Sequence, residues 1–282
     1  FRDAAVSWLN RRYKLPTDFL DADVNIMPVP GTREPLYQIG FICVPPEKNG
    51  QRPAVLMPNP FYHVYQGAAM AGGAEAVYLP AEPENNFFPC LEDLSMDLLQ
   101  RTAIFFLCSP ANPQGTVADK IYLKKLIELA REYDFIVAFD ECYCEIYRDD
   151  PPLGGLQVCS ELGLDLANVL SFNSLSKRSS APGLRSGFIA GDPKIIRRYG
   201  QFVTFGGAPI PLPILHASTA LWSDDSHVAE NRNYYNRNFE IAAQILGPHL
   251  DIKIPPAGFF LWLDVGDGEA AAKKLWEKAA IK

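Results

Sequence analysis

Short apolar runs that alternate with helical patterns constrain this chain more than any other feature. The runs are Val24 to Val29, Ala54 to Met57, Ala76 to Leu79, Ala103 to Cys108, Phe135 to Phe139, Val169 to Phe172 and Phe188 to Ala190. Helical periodicity fills several of the intervals, over Thr32 to Val44, Val64 to Gly72 and Lys120 to Tyr133. Runs too short for buried helices, set between amphipathic segments, predict an α/β unit with a mostly parallel sheet covered by helices on both faces. Ligands of such sheets gather outside the carboxyl ends of the strands.

The polar segments fall at those ends. Gly31-Thr32-Arg33 follows the first run, Pro58 to Tyr65 the second, Ser109 to Gly115 the fourth, Asp140 to Tyr143 the fifth and Ser174 to Lys177 the sixth. The pattern therefore predicts that these distant loops converge on one sheet edge. Beyond Pro193 it changes to long helices, over Ile214 to Trp222 and Asn231 to Leu246. A strand pair, Ile252 to Ile254 with Phe259 to Val265, and a last helix from Ala270 to Lys282 are expected after them. The division predicted is a large domain over 1–192, then the remaining helices and the start of a smaller α+β domain over 193–282.

Chemistry concentrates in Ser174-Leu175-Ser176-Lys177-Arg178-Ser179 and in Pro182-Gly183-Leu184-Arg185-Ser186-Gly187. An amine is nucleophilic only when neutral, and nearby cations such as Arg178 and Arg185 would favour that form. The hydroxyls and Arg185 also suit a phosphate dianion, so one segment can hold both ends of a phosphorylated aldehyde. On this motif alone, a solvated basic loop is the stronger reading. Gly31-Thr32-Arg33 offers free backbone N–H groups at a helix start, as either a phosphate seat or a bare cap. Asn112-Pro113 reads as a turn, a role that leaves the side chain free to bind.

These segments, with Pro58-Asn59-Pro60-Phe61-Tyr62-His63-Val64-Tyr65, Ser109-Pro110-Ala111-Asn112-Pro113-Gln114-Gly115 and Phe139-Asp140-Glu141-Cys142-Tyr143, resemble in order the class I/II aminotransferases, the fold-type I pyridoxal-phosphate enzymes. The resemblance implies pyridoxal 5′-phosphate as cofactor and Lys177 as the amine that carries it and then acts as general base. Asp140 is implied as the carboxylate at the pyridine nitrogen, although a capping aspartate fits the same strand end. Tyr143 and Asn112 are implied as donors to the ring oxygen. Tyr62 is implied as the aromatic on the ring face, against a core role. Gly31, Thr32, Arg33, Ser174, Ser176 and Arg185 complete the implied cofactor set. Pro255 to Trp262 resembles a small-domain strand, read as structural or as an apolar pocket wall.

The motif wording is most similar to bacterial N-succinyldiaminopimelate aminotransferases, which implies a lysine-biosynthetic transamination with 2-oxoglutarate and glutamate and a homodimer with shared active sites. An aspartate or aromatic aminotransferase, a carbon–sulfur lyase and a non-catalytic regulatory domain of the same type remain open. Both ends read as cut, since the chain opens on Phe1 in a helical pattern and closes inside another. The family's substrate-carboxylate arginine and its neighbour-subunit tyrosine are accordingly expected outside the fragment. A net charge of −7 argues against nucleic acid as the main partner. The histidines and six scattered cysteines lack metal-ligand spacing, so no metal is predicted. Buried reduced thiols, no apolar run of membrane-spanning length and no signal pattern predict a cytoplasmic protein.

Overall fold

The computed structural model describes residues 1–281. A strand forms at each apolar run: β1 (Ile26–Val29), β2 (Ala54–Asn59), β3 (Glu75–Pro80), β4 (Thr102–Cys108), β5 (Ile136–Asp140), β6 (Val169–Ser174) and β7 (Gly187–Gly191). They make one sheet in the order β1-β7-β6-β5-β4-β2-β3. Pairs from β6 across to β3 are parallel, while β7 runs antiparallel to both β6 and β1. Two reversals cancel, so β1 points the same way as the parallel set. The carboxyl ends of β1, β2, β4, β5 and β6 therefore share one edge, joined there by the amino end of β7.

Alternation along the strands divides the core between the two faces. Phe105, Leu107, Val137 and Phe139 pack into one cluster, and Ile104, Phe106 and Ala138 into the other. Every residue of β4 and β6 is buried, which is why β4 reads as an unbroken apolar run, whereas β6 buries Ser171, Asn173 and Ser174 among its apolar residues. On the first face the helix Lys120–Glu132 buries Leu123, Leu126, Ile127 and Ala130, one stripe at helical spacing. Each large aliphatic among them contributes about 1.5–3 kcal/mol. Asp119 starts this helix by accepting from the Tyr122 N–H at 2.8 Å. On the second face, Arg33–Cys43 crosses His63–Ala71 at Gly40, where an added Cβ would lie 2.1 Å from the Ala68 carbonyl oxygen.

Two expectations are corrected. The first run begins as a helical turn, Ala22–Asn25, because the Asp21 carboxylate accepts from the N–H groups of Asp23 and Val24, and the strand starts only at Ile26. The pair Ile252 to Ile254 with Phe259 to Val265 does not form. Pro255 and Pro256 bring no N–H, and the neighbouring backbone is bonded elsewhere, Ala257 N–H to Gly115 O and Gly258 N–H to Ile146 O. A single bridge, Tyr147 with Ala257, is what remains. The helices Pro193–Gly206, Leu212–Ser223 and Ser226–Leu246 follow the sheet. The last helix is Gly268–Ala279, and Lys282 of the expected span lies outside the described residues. No described helix is long and apolar enough to cross a membrane.

Candidate active site

A cavity of 510 Å³ opens at the shared edge, within the roughly 300–1,000 Å³ of small-ligand sites. Thr32, Arg33, Tyr62, Asn112, Asp140, Tyr143, Ser174, Ser176, Lys177 and Arg185 all line it. Gly31 lies directly under Arg185. Its φ of +81° favours glycine there, and an added Cβ would lie 2.3 Å from Arg185 Nη2, so the guanidinium would have to shift.

Asp140 ends β5 and is 5% exposed. Its Oδ2 accepts from the Tyr65 hydroxyl at 2.8 Å, and its Oδ1 from the Cys142 N–H at 3.4 Å. Burial pushes this carboxyl above its ordinary range, against the pull of those hydrogen bonds. No cation opposes it among the described residues. Tyr65 is a site residue that had no role assigned from sequence beyond closing the Pro58 to Tyr65 segment. Its ring stacks on Phe106 with centroids 4.5 Å apart, and a buried phenol needs an acceptor. That requirement, on a helix facing the end of β5, was the available signal.

The lysine loop is set by short-range bonds. Ser174 caps the helical turn Leu175–Arg178 by accepting from the Ser176 N–H at 3.1 Å, and its hydroxyl also reaches Ser176 Oγ at 2.9 Å. The Lys177 carbonyl accepts from Asn231 Nδ2 at 2.9 Å. Lys177 Nζ lies 5.0 Å from the centroid of Phe259, which also contacts Tyr143 edge-on at 5.2 Å. The segment from Pro255 to Trp262 thus brings an aromatic to the lysine, and its wall reading has a geometric basis.

Arg178 does not face the cavity. Its guanidinium packs between Trp8 and Trp222 and bonds the Leu221 and Asp224 carbonyls and the Asp225 carboxylate, so it cannot act on Lys177 directly. Arg185 does face it, held by the carbonyls of Pro182 and Pro30, each at 3.2 Å. Thr32 begins the helix Arg33–Cys43 without a side-chain cap bond, and its hydroxyl instead meets Cys142 Sγ at 3.1 Å. Residues 142–145 form a turn, which sends the thiols of Cys142 and Cys144 apart. Cys142 lines the cavity, whereas Cys144 points to Asn173. All six cysteines are free.

Asn112 sits in a turn closed by Gly115 N–H to Ala111 O and donates from Nδ2 to the Tyr143 hydroxyl at 3.1 Å. Burial holds the Tyr143 phenol well above its ordinary value, so it keeps its proton. Tyr62 precedes the helix His63–Ala71, and its hydroxyl accepts from Arg33 Nε at 2.8 Å. Phe61, Phe87 and Phe88 add apolar wall that sequence reasoning did not assign. No cluster of three or more His, Cys, Asp or Glu suited to a metal occurs among the described residues.

A crystal structure of an aminotransferase from Neisseria meningitidis superposes with a TM-score of 0.92 at 43% identity, covering 100% of this chain and 71% of that one. Aminotransferase AspB from Helicobacter pylori gives 0.88 at 37%, covering 99% and 72%. Among curated relatives, the LL-diaminopimelate aminotransferase of Syntrophobacter fumaroxidans is 30% identical over 278 residues, 95% of this chain and 67% of that protein. The family model for aminotransferase class I and II matches residues 1–281. The chain therefore belongs to the class I and II aminotransferases, whose cofactor is pyridoxal 5′-phosphate.

Proposed function

We propose that this protein transaminates a diaminopimelate-type amino donor, with 2-oxoglutarate and glutamate as the partner pair, using Lys177 as the working amine. The observation that carries the reading is Asp140, a buried carboxylate with no cation of its own, in the same cavity as Lys177. A buried charge left unpaired is costly, and a protonated pyridine nitrogen would supply the missing partner. The rest of the cavity fits the same group. Thr32, Ser174, Ser176 and Arg185 offer hydroxyl and guanidinium donors for a phosphate, and Gly31 leaves room beside them. Asn112 and Tyr143 present donors for a ring oxygen, and Tyr62 an aromatic face.

When bound, pyridoxal phosphate supplies an aldehyde for amines and a ring that accepts electrons from the substrate's α-carbon. Lys177 would hold that aldehyde through its amine, and the same Nζ, when free, would move the proton at the donor's α-carbon. Asp140 would keep the ring nitrogen protonated, with the carboxylate held in place by Tyr65. Phe259 screens one side of the amine from water.

The motif wording supports an N-succinylated donor, whereas the curated relative is named for free LL-diaminopimelate. A panel of both donors, aspartate and phenylalanine, with glutamate formation from 2-oxoglutarate as readout, separates them. Preference for aspartate or phenylalanine would defeat the donor assignment. Borohydride reduction of the holoenzyme followed by peptide mapping tests the lysine, and label on any lysine other than Lys177 would defeat that assignment. We also propose a homodimer, and a reducing cytoplasm on the strength of the free thiols.

A further inference from the structure

We propose that the helix Ser226–Leu246 sets the spacing of the site, with Asn231 and Arg232 as positioning residues that hold the loop of Lys177 and the turn of Tyr143 at a fixed separation. The inference deepens the transaminase reading above and rests on it.

The sheet fixes only the feet of the two segments. β5 and β6 are neighbours, with Asp140 opposite Phe172, and from their last residues the chain runs three positions to each side chain, Asp140 to Tyr143 and Ser174 to Lys177. Beyond those feet one helix touches both. Asn231 Nδ2 donates to the Lys177 carbonyl at 2.9 Å and to the Arg178 carbonyl at 3.3 Å, two acceptors at the end of the turn Leu175–Arg178. The next residue, Arg232, donates from Nε to the Glu145 carbonyl at 2.9 Å and from Nη2 to the Glu145 carboxylate at 2.8 Å. Glu145 is buried, and the N–H that follows it, of Ile146, closes the turn onto the Tyr143 carbonyl at 2.9 Å.

Residues four positions apart on a helix share a face, and those that follow reach the third wall of the cavity. Tyr235 stacks on Phe259 with centroids 5.2 Å apart, and Phe259 is the ring beside both Lys177 Nζ and Tyr143. Asn236 Nδ2 donates to the Tyr147 carbonyl at 3.4 Å. In the first turn of the same helix, His227 Nε2 lies 2.8 Å from Ser179 Oγ. One rigid element thus spans the amine's loop, the phenol's turn and the aromatic between them. Proton transfer needs such registration, because a misplacement of about 1 Å can cost about a hundredfold in rate.

The test uses Asn231→Leu, which removes the donor without shortening the side chain, Arg232→Lys, which keeps a charge near Glu145 without the two-point bond, and the double variant. Hydrogen exchange of the apoproteins reads the ties themselves. Amides of 175–187 should exchange about 2- to 10-fold faster in Asn231→Leu, and those of 141–147 in Arg232→Lys, as loss of a hydrogen bond implies. In the holoenzymes, single-turnover reaction with glutamate should slow by about 10- to 100-fold in each. KM for glutamate and the dissociation constant of pyridoxal phosphate should change by less than about threefold, while the deuterium isotope effect at the α-carbon should grow. A smaller folded fraction would lower the rate and leave that isotope effect alone. One loose end already frees the spacing, so the double variant should be at most about threefold slower than the worse single one. Losses that multiply in the double variant would overturn the proposal, since two unrelated local defects combine that way. Slower turnover with an unchanged isotope effect would also overturn it, and reduce both residues to fold stability. The functional reading can fail separately, because the exchange arm needs neither cofactor nor amino donor.

Discussion

Replacing Tyr65 by phenylalanine removes one oxygen atom and isolates the electrostatic role of the Asp140 contact. The lost bond is a 2.8 Å donation to a buried carboxylate, which keeps the longer 3.4 Å bond from the Cys142 N–H and the Cys142 thiol beside it. Hydrogen bonds to charged groups contribute about 1.5–3 kcal/mol. The same energy expressed on Asp140 is a further rise of about 1–2 units in its folded pKa. Burial already raises that value above the unfolded one, so the folded protein binds this proton more tightly than the unfolded chain does. Stability attributable to Asp140 is therefore lost as pH rises from the ordinary carboxylate range through the folded value, and the variant extends that window upward. Thermal melts of the apoproteins across pH measure this. Wild type and Tyr65→Phe should melt nearly together in acid, where Asp140 is protonated in both, and separate by roughly 3–6 °C at neutral pH. Glu141, also buried and raised by burial, titrates in both proteins and cancels in the difference. A gap that stays constant with pH would refute the reasoning, because the phenol would then matter only through packing.

Asp140→Asn should leave the fold intact and slow α-proton removal by at least about a hundredfold, measured by single-turnover exchange of the α-hydrogen. Arg185→Ala should instead weaken retention of pyridoxal phosphate by about 10- to 100-fold in equilibrium dialysis. If the two variants shared one defect, the separation of ring chemistry from phosphate anchoring would be wrong. Gly40→Ala should destabilise by about 1–3 kcal/mol in chemical unfolding, because its Cβ would press on the Ala68 carbonyl and force two helices apart. An unchanged midpoint would show that the helix crossing has slack.

The strands and the placement of the site were legible because burial on both faces leaves an unbroken apolar run, and the loop after each such run must lie at one edge. Asp140, Lys177 and Arg185 each sit beside the end of a buried strand, so reading the strands located them. Tyr65 was harder, since an aromatic on an apolar helix looks like core until its hydroxyl is matched to an acceptor from another strand. Arg178 was read toward the lysine because the two are adjacent in sequence, yet a helical turn sends neighbours in different directions, and two tryptophans took it. The segment after Ile252 has strand-like composition, but pairing depends on what else competes for its backbone, and that competitor, the loop at Gly115, is remote in sequence.

Ser174 closes β6 opposite Gly187, which opens β7. Everything between them, the amine and the guanidinium included, is a closed excursion whose two feet are pinned to the same rung. Phe188 and Ile189 face different cores, so a slip of one residue in β7 would drive each into the other's place. The loop's length is thereby fenced by packing at its base. An insertion near Gly183, where the chain is open and a Cβ would meet nothing, can bulge outward and be tolerated. One inside β7 would swing Arg185 off its seat over Gly31 while Lys177, tied to β6, stayed where it was. Alterations at the tip should therefore cost at most the Pro182 contact of Arg185, whereas a register error a few residues later should separate the two ends of the site without changing any residue that touches the ligand.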